Sequence, residues 1–377
     1  MSNARQTTPA PSADGLRLDA LRLIRSRRVG PATFHRLVAE YGSPAAAIDA
    51  LPAIAAAAGV TDYAPCHRAR AQNELLAGLR SGARLLCCFD AEYPQSLREI
   101  ADAPPVIWVK GDLSQLSAIK VAVIGARNAS SLGMRMAKTL ALGLGEAGAV
   151  TVAGLARGID SVVHENSRDT GTIAVMAGGI DVIYPSENAN LARQICDRGV
   201  LLSEQPPGTS PVAHHFPARN RIISALGLGV VVVEAAERSG SLITARNALD
   251  QGREVLAVPG HPLDPRASGC NNLIRDGATL VRSTEDVVSA LGLPTQDRLK
   301  RETSAQQTAP FSAPATVVDA PEDIGQRIIN HLNLSPSDEN ALLRELGLPP
   351  HQAASALLSL ELSGKVQRMA GGLIQRV

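Results

Sequence analysis

Residues 119–154 read IKVAVIGARNASSLGMRMAKTLALGLGEAGAVTVAG, and this stretch decides the fold. A run of Val, Ile and Ala ends in a turn at Gly125, an amphipathic segment follows to Gly148, and a second apolar run begins at Val150. Strand, helix and strand in that order form the repeating unit of a parallel sheet. The pattern continues outward. TIAVMAG (172–178), VLLSE (200–204), GVVVVEA (229–235) and EVLAVPG (254–260) are further short apolar runs, and NLARQICDRG (190–199) and ITARNALDQG (243–252) lie between them. Runs that are apolar throughout, without alternation, belong to strands covered on both faces. The sequence therefore predicts an α/β domain with a doubly wound, mostly parallel, Rossmann-like sheet that ends near Leu293.

Upstream, residues 16–85 carry helical periodicity broken at Gly30-Pro31 and Gly42-Ser43-Pro44, each pair stopping one helix and starting the next. This predicts a small all-α domain of the sterile-alpha-motif or helix-hairpin-helix kind. A connector containing VIWVKG (106–111) joins it to the sheet, so residues 86–293 are taken as one extended Rossmann-like domain. Residues 1–15 are polar and Pro-containing and read as a disordered tail; residues 294–320 have the same character and read as a linker. Residues 321–377 carry three helical segments, then KVQRM and LIQRV joined by Ala370-Gly371-Gly372, a winged-helix pattern.

A net charge of +1 excludes a uniformly basic nucleic-acid binder but allows a local basic groove. Aromatic residues make up only 2% of the chain, so each one outside the core is informative. Cys66, Cys87, Cys88, Cys196 and Cys270 form no CxxC pair and have no metal-ligand spacing, which predicts reduced thiols and no metal. The first residues lack the apolar core of a signal peptide, and no apolar run reaches the roughly 18 residues that span a bilayer. A cytoplasmic protein without a membrane span is expected.

The loop after the first strand is Gly125-Ala126-Arg127-Asn128-Ala129-Ser130. A dinucleotide fingerprint requires glycine where Arg127 stands, so that bare backbone can approach a pyrophosphate. The second strand ends in Gly154-Leu155, without the acidic residue that would hold a ribose. NAD is disfavoured, and no cofactor is expected. The loop still opens a helix, whose N–H groups favour an anion, and Arg127 adds a planar fork suited to a phosphate. The competing reading of Arg127 is a structural ion pair at the sheet edge.

A second loop favours a polymer. After Val200–Ser203 comes EQPPGTSP, opening into His214-His215-Phe216-Pro217-Ala218-Arg219-Asn220-Arg221, with two arginines, two histidines and no acid. Pro217 suits the first turn of a helix, and a ring beside cations at the edge of a parallel sheet is how single strands are held. The alternatives are that Phe216 staples the helix entry and that Arg219 or Arg221 pairs with Glu204 or Glu234. Arg157 and Ser239 are expected to line the same crevice. Asp160 and His164, four apart on a helix, form a weaker acid–base candidate, and Asp160 reads more simply as a cap.

Taken together, VAVIGARNASSLG, GLARGIDSVVH, GGIDVIYPSEN, LLSEQPPGT, HFPARNRIIS and NNLIRDGA resemble the DprA (Smf) family of DNA-processing proteins, and the match runs from YPQSLREIADAPPVIWVKGD onward. The resemblance implies single-stranded DNA binding, a homodimer through the Rossmann domain and delivery of DNA to RecA recombinase in natural transformation, without catalysis. It puts the phosphate-binding arginine at Arg127 and the base-contacting aromatic at Phe216. The expected DNA-binding set is Gly125, Arg127, Asn128, Ser130, Arg157, His215, Phe216, Arg219, Asn220, Arg221 and Ser239. Ala213, His214 and His215 stand where a lysine can occur, which predicts a missing or pH-dependent contact. Residues 350–363, the presumptive recognition helix, contain no Lys or Arg, so the winged helix is expected to be a protein-interaction or regulatory module rather than a sequence reader. The enzymatic alternative is a nucleotide hydrolase of the lysine-decarboxylase-like or phosphoribohydrolase type. Its Pro-Gly-Gly-x-Gly-Thr loop is replaced here by ERSGSLITA.

Overall fold

The computed structural model describes residues 13–293 and, beyond them, parts of 326–376. The chain divides into two compact units, Met1–Glu302 and Thr303–Val377.

The first unit begins with four helices, α1 (Ala13–Ile24), α2 (Pro31–Tyr41), α3 (Pro44–Ala57) and α4 (Arg68–Arg80). Their boundaries follow the punctuation in the sequence. Gly42 takes φ +80° and returns its N–H to Val38, closing α2, and the Ser43 hydroxyl accepts the Ala46 N–H at 3.2 Å, opening α3. Leu18, Leu21, Phe34, Leu37 and Ile48 pack inward, in one continuous core with Trp108, Met176 and Ile195 from the sheet side. The helical segment therefore shares its core with the sheet. Gly78 of α4 lies directly on the Trp108 indole, where any Cβ would collide with the ring.

The sheet has nine strands: β1 (Arg84–Cys87), β2 (Val106–Gly111), β3 (Lys120–Ile124), β4 (Val150–Ala153), β5 (Thr172–Met176), β6 (Val200–Ser203), β7 (Gly229–Val232), β8 (Glu254–Ala257) and β9 (Thr279–Leu280). Their order is β1-β2-β6-β5-β4-β3-β7-β8-β9. The strands from β6 to β9 are parallel, and β2 and β1 extend the β6 edge as an antiparallel pair. Helices α5 (Gln95–Arg98), α6 (Ser131–Glu146), α7 (Ile159–Asn166), α8 (Ala189–Arg198), α9 (His215–Leu226), α10 (Ser241–Asp250), α11 (Ser268–Arg275) and α12 (Thr284–Ala290) are the other α-helices among the described residues of the unit. This is the doubly wound, mostly parallel sheet that the sequence predicts. The antiparallel edge strand β1 and the short β9 are additions that sequence reading did not single out.

The winding direction reverses between β3 and β7, which are neighbours in the sheet although three strands separate them in sequence. Loops leaving the C-terminal ends of strands at such a reversal splay apart and leave a crevice. Here that crevice is walled by the loops after β3, β4 and β7 and by the start of α9.

In the second unit, β10 (Ser337–Asp338), β11 (Val366–Met369) and β12 (Leu373–Arg376) pair antiparallel in the order β10-β12-β11. Ile328, Ile329, Leu332, Leu357, Leu360, Val366 and Ile374 form its core. The hairpin of β11 and β12 is the expected wing. Of the tail expected at 1–15, residues 13–15 instead open α1, because the helical periodicity starts earlier than the polar composition suggests. Residues 1–12 lie outside the described residues, as do the linker at 294–320 and most of the recognition segment 350–363.

Candidate nucleic-acid interface

The loop after β3 is pressed against its neighbour. An added Cβ at Gly125 would sit 2.6 Å from Ile159 Cγ1, and the Ile159 N–H donates to Ala126 O at 3.2 Å. Glycine at 125 thus serves packing between two loops. At the end of the loop Ser130 caps α6, its hydroxyl accepting the Gly133 N–H at 3.0 Å. The Ser130 N–H donates to Glu234 Oε1 at 3.0 Å, and its hydroxyl donates to Glu234 Oε2 at 2.5 Å. The anion expected at this helix N-terminus is therefore supplied from within, by the buried carboxylate of Glu234. Ser130 is not free to hold a phosphate, and Glu234 pairs with neither Arg219 nor Arg221.

Arg127 and Asn128 project from the same loop and are exposed. Among the described residues Arg127 has no carboxylate in ion-pair range. Its guanidinium instead lies over the Phe216 ring, 5.1 Å from the centroid.

Phe216 stands in the first turn of α9, which begins at His215. Helical spacing sorts the residues that follow. Phe216, Asn220 and Ile223 lie on one stripe and line the crevice. Arg219 turns inward: only 6% exposed, it donates to Gly154 O at 2.7 Å and also to Val175 O. Gly154 makes room for it, since a Cβ there would sit 2.6 Å from the guanidinium carbon. Burial lowers the Arg219 pKa to about 10, against the pull of the neighbouring Asp160, so the group is still charged at pH 7. Arg221 points away from the crevice into ion pairs with Glu204 (2.7 Å) and Asp102 (2.9 Å). Of the two arginines of α9 expected on the DNA, Arg219 is an internal strut and Arg221 is committed elsewhere. A helix turns about 100° per residue, so residues so close in sequence cannot all face one ligand.

Asn220 donates to Gly240 O at 3.4 Å, and Ser239 shares a hydrogen bond with Ser241 at 2.7 Å, both on the crevice wall. The His215 ring packs edge-on against His214 at 4.5 Å, and burial, with the neighbouring His214, lowers its pKa. Arg157 is 62% exposed and reaches Glu187 at 3.3 Å.

The crevice encloses about 630 Å³, and the exposed Arg238 and Arg266 join Arg127 on its rim. Arg266 is paired with Asp264 at 3.0 Å. A larger hollow, about 780 Å³, lies at the opposite edge, lined by Tyr93, Arg98, Lys120 and Arg253. Its cations are already bound: Arg98 to the carbonyls of Cys88 and Asp90, Lys120 to those of Leu116 and Ala118, and Arg253 to Glu99. The crevice at the strand reversal is therefore the stronger site.

Asp160 and His164 do not form a couple. Asp160 accepts the N–H groups of Gly154 (3.0 Å) and Ala156 (3.3 Å), whereas His164 bonds the Thr172 hydroxyl at 2.8 Å. Burial pushes the Asp160 carboxyl up and drives the His164 pKa down to about 3. No cluster of metal-ligating side chains exists among the described residues, and no described helix is long and apolar enough to cross a membrane.

Sequence reasoning passed over Tyr184, which reaches the site from the loop after β5 and meets Phe216 edge-on at 5.7 Å. Its signal was available: one of 4 tyrosines, followed by proline in a turn-rich segment.

Comparison with known proteins matches residues 84–292 to the family described as DNA recombination-mediator protein A. Residues 14–77 match a DprA-like N-terminal HHH domain and 311–372 a DprA winged helix domain. The DNA processing protein DprA of Bacillus subtilis is 45% identical over 223 residues, 58% of this chain and 72% of the relative. Protein Smf of Escherichia coli is 36% identical over 291 residues, 75% of each chain. The X-ray structure of DprA from Streptococcus pneumoniae aligns with a TM-score of 0.57 at 35% identity, covering 73% of this chain and 93% of that one. A structure of the Helicobacter pylori protein, whose subject is its single-stranded DNA binding mode, aligns with a TM-score of 0.52 at 29% identity, covering 55% and 95%.

Proposed function

This chain belongs to the DNA recombination-mediator protein A family, and on that premise we propose that it binds single-stranded DNA across the crevice between the β3 loop and α9. The observation that carries the proposal is the Arg127 guanidinium over the Phe216 ring, open to solvent and without a carboxylate partner among the described residues. A cation and a ring held together at a sheet edge serve a phosphate and the base beside it. The single-stranded DNA binding mode of the Helicobacter pylori relative supports the same ligand class.

In this reading Asn128, Asn220 and Ser239 line the path, and Arg157 and Arg238 neutralise outer phosphates. Gly125, Ser130, Arg219 and Arg221 act by building the crevice wall. In this reading the protein acts as a mediator without catalysis, and the division of Asp160 and His164 between separate partners supports it. We further propose a homodimer through the Rossmann-like domain and delivery of the bound strand to RecA recombinase.

The test is fluorescence anisotropy with labelled oligothymidine, single- and double-stranded, for wild type and Arg127→Ala/Phe216→Ala. A single-strand preference that disappears in the double variant supports the site. Undiminished binding by the variant moves the DNA to another surface. RecA assembly on single strands, with and without the protein, tests delivery.

A further inference from the structure

The two rings at the crevice are unequally available. Phe216 is half-buried with Arg127 over its face, whereas Tyr184 stays 50% exposed while touching the same ring. Trp108, Tyr93 and Phe34 are by contrast fully buried in the core. No other described residue hydrogen-bonds the Tyr184 hydroxyl.

The segment carrying Tyr184 is anchored on both sides. Before it, Asp181 accepts the Gly208 N–H at 2.7 Å. After it, the buried Asn188 donates to Leu155 O at 2.9 Å and to the Ser161 hydroxyl at 3.0 Å, tying the segment to the loop that bears Arg157. A ring held by its surroundings and left bare to solvent is a preorganised contact surface. Arg127 and Arg157 flank the small hollow between Tyr184, Pro185 and Phe216. The Arg157–Glu187 pair is exposed at both ends, a kind of pair worth little, so Arg157 can exchange its partner for a phosphate.

We propose that Tyr184 is a second base-stacking surface, so that a single strand leaving Phe216 and Arg127 continues over Tyr184 with Arg157 on the adjoining phosphate. This rests on the single-stranded DNA reading above. The planes of the two rings are inclined at 62°. Bases lying flat on them are splayed from one another, so the strand bends between these nucleotides. Bases in a duplex stay parallel and cannot use both rings. The pair thus selects for single strands.

The experiment compares wild type, Tyr184→Leu, Tyr184→Trp, Phe216→Leu and Arg127→Ala by anisotropy and fluorescence intensity, using short oligothymidines that carry one fluorescent purine analogue at successive positions. Leucine preserves apolar packing against Phe216 but removes the stacking face. The expected results are an affinity loss of about five- to a hundredfold for Tyr184→Leu, substantial recovery in Tyr184→Trp, and dequenching at a single position. Phe216→Leu is expected to dequench the neighbouring position. If Tyr184→Leu binds and quenches as wild type does while Phe216→Leu and Arg127→Ala weaken binding, the Tyr184 surface is refuted and the DNA site stands. If neither Phe216→Leu nor Arg127→Ala alters binding, the site itself falls, and the Tyr184 surface with it.

Discussion

Glu234 caps the helix that Ser130 begins, across 104 residues of chain, accepting the Ser130 N–H at 3.0 Å and its hydroxyl at 2.5 Å. In a nucleotide-binding Rossmann domain the corresponding helix start receives the pyrophosphate. Here it is filled by the protein's own carboxylate, and a cation without a carboxylate partner among the described residues stands in the same loop, on Arg127. The anion site has in effect moved from the backbone to a side chain on the rim, where a polymer can pass.

Removing that internal anion should cost stability and open the helix start. Glu234→Ala is expected to destabilise the fold by about 1–3 kcal/mol, the cost of leaving buried donors unpaired, measured by urea unfolding. Added sulfate should raise the melting temperature of Glu234→Ala more than that of wild type. Equal responses would show that the vacated helix start does not bind anions.

Arg127→Ala should weaken single-strand binding by about 1.5–3 kcal/mol, the value of a charged hydrogen bond. Lysine should not restore it, because an ammonium lacks the planar fork that lies on Phe216 and grips two oxygens. If Arg127 neutralises one phosphate, the log–log salt dependence of binding should flatten by about 0.7 in the alanine variant. An unchanged slope would argue for a purely structural Arg127.

Arg221→Ala separates construction from contact. It removes the ion pairs to Glu204 and Asp102, so unfolding should occur at lower urea by about 1–3 kcal/mol. Affinity for single strands, measured below the unfolding range, should stay within about twofold of wild type, as expected of a residue outside the interface. A large affinity loss with intact stability would return Arg221 to the DNA.

His164 makes stability fall in acid. Its pKa is about 3 in the fold, through burial, against the ordinary 6.5 of the unfolded chain. The unfolded state therefore takes up a proton that the folded state refuses. The contribution is fully present above pH 6.5 and declines at about 1.4 kcal/mol per pH unit from there toward pH 3. Urea midpoints measured between these limits should show this slope in wild type and a shallower one in His164→Gln. Parallel slopes would mean that other groups carry the acid response.

The pattern of apolar runs made the parallel sheet legible, whereas the strand order that sets the reversal beside β3 came from the tertiary structure. Arg127 and Phe216 were legible as candidates, Arg127 because it stands where a dinucleotide site requires glycine and Phe216 because it is a scarce aromatic set beside cations. The roles of Arg219 and Arg221 were not. Composition marks a cluster as basic, but helix phase decides that Arg219 enters the space above Gly154 while Arg221 meets Glu204. Tyr184 was hidden for a related reason: its loop is 32 residues from Phe216 in the chain, and only the packing of that loop on the next brings the rings together.

The sequence by itself determined the architecture, since side-chain periodicity and glycine or proline punctuation act over a few residues and report directly which faces must be buried. Only the tertiary structure decided which charges remain free. The partners of Arg219, Arg221 and Glu234 lie 65, 17 and 104 residues away along the chain. A charge is claimed or left available by whatever the whole fold brings within hydrogen-bond range, and local sequence carries no record of that distance.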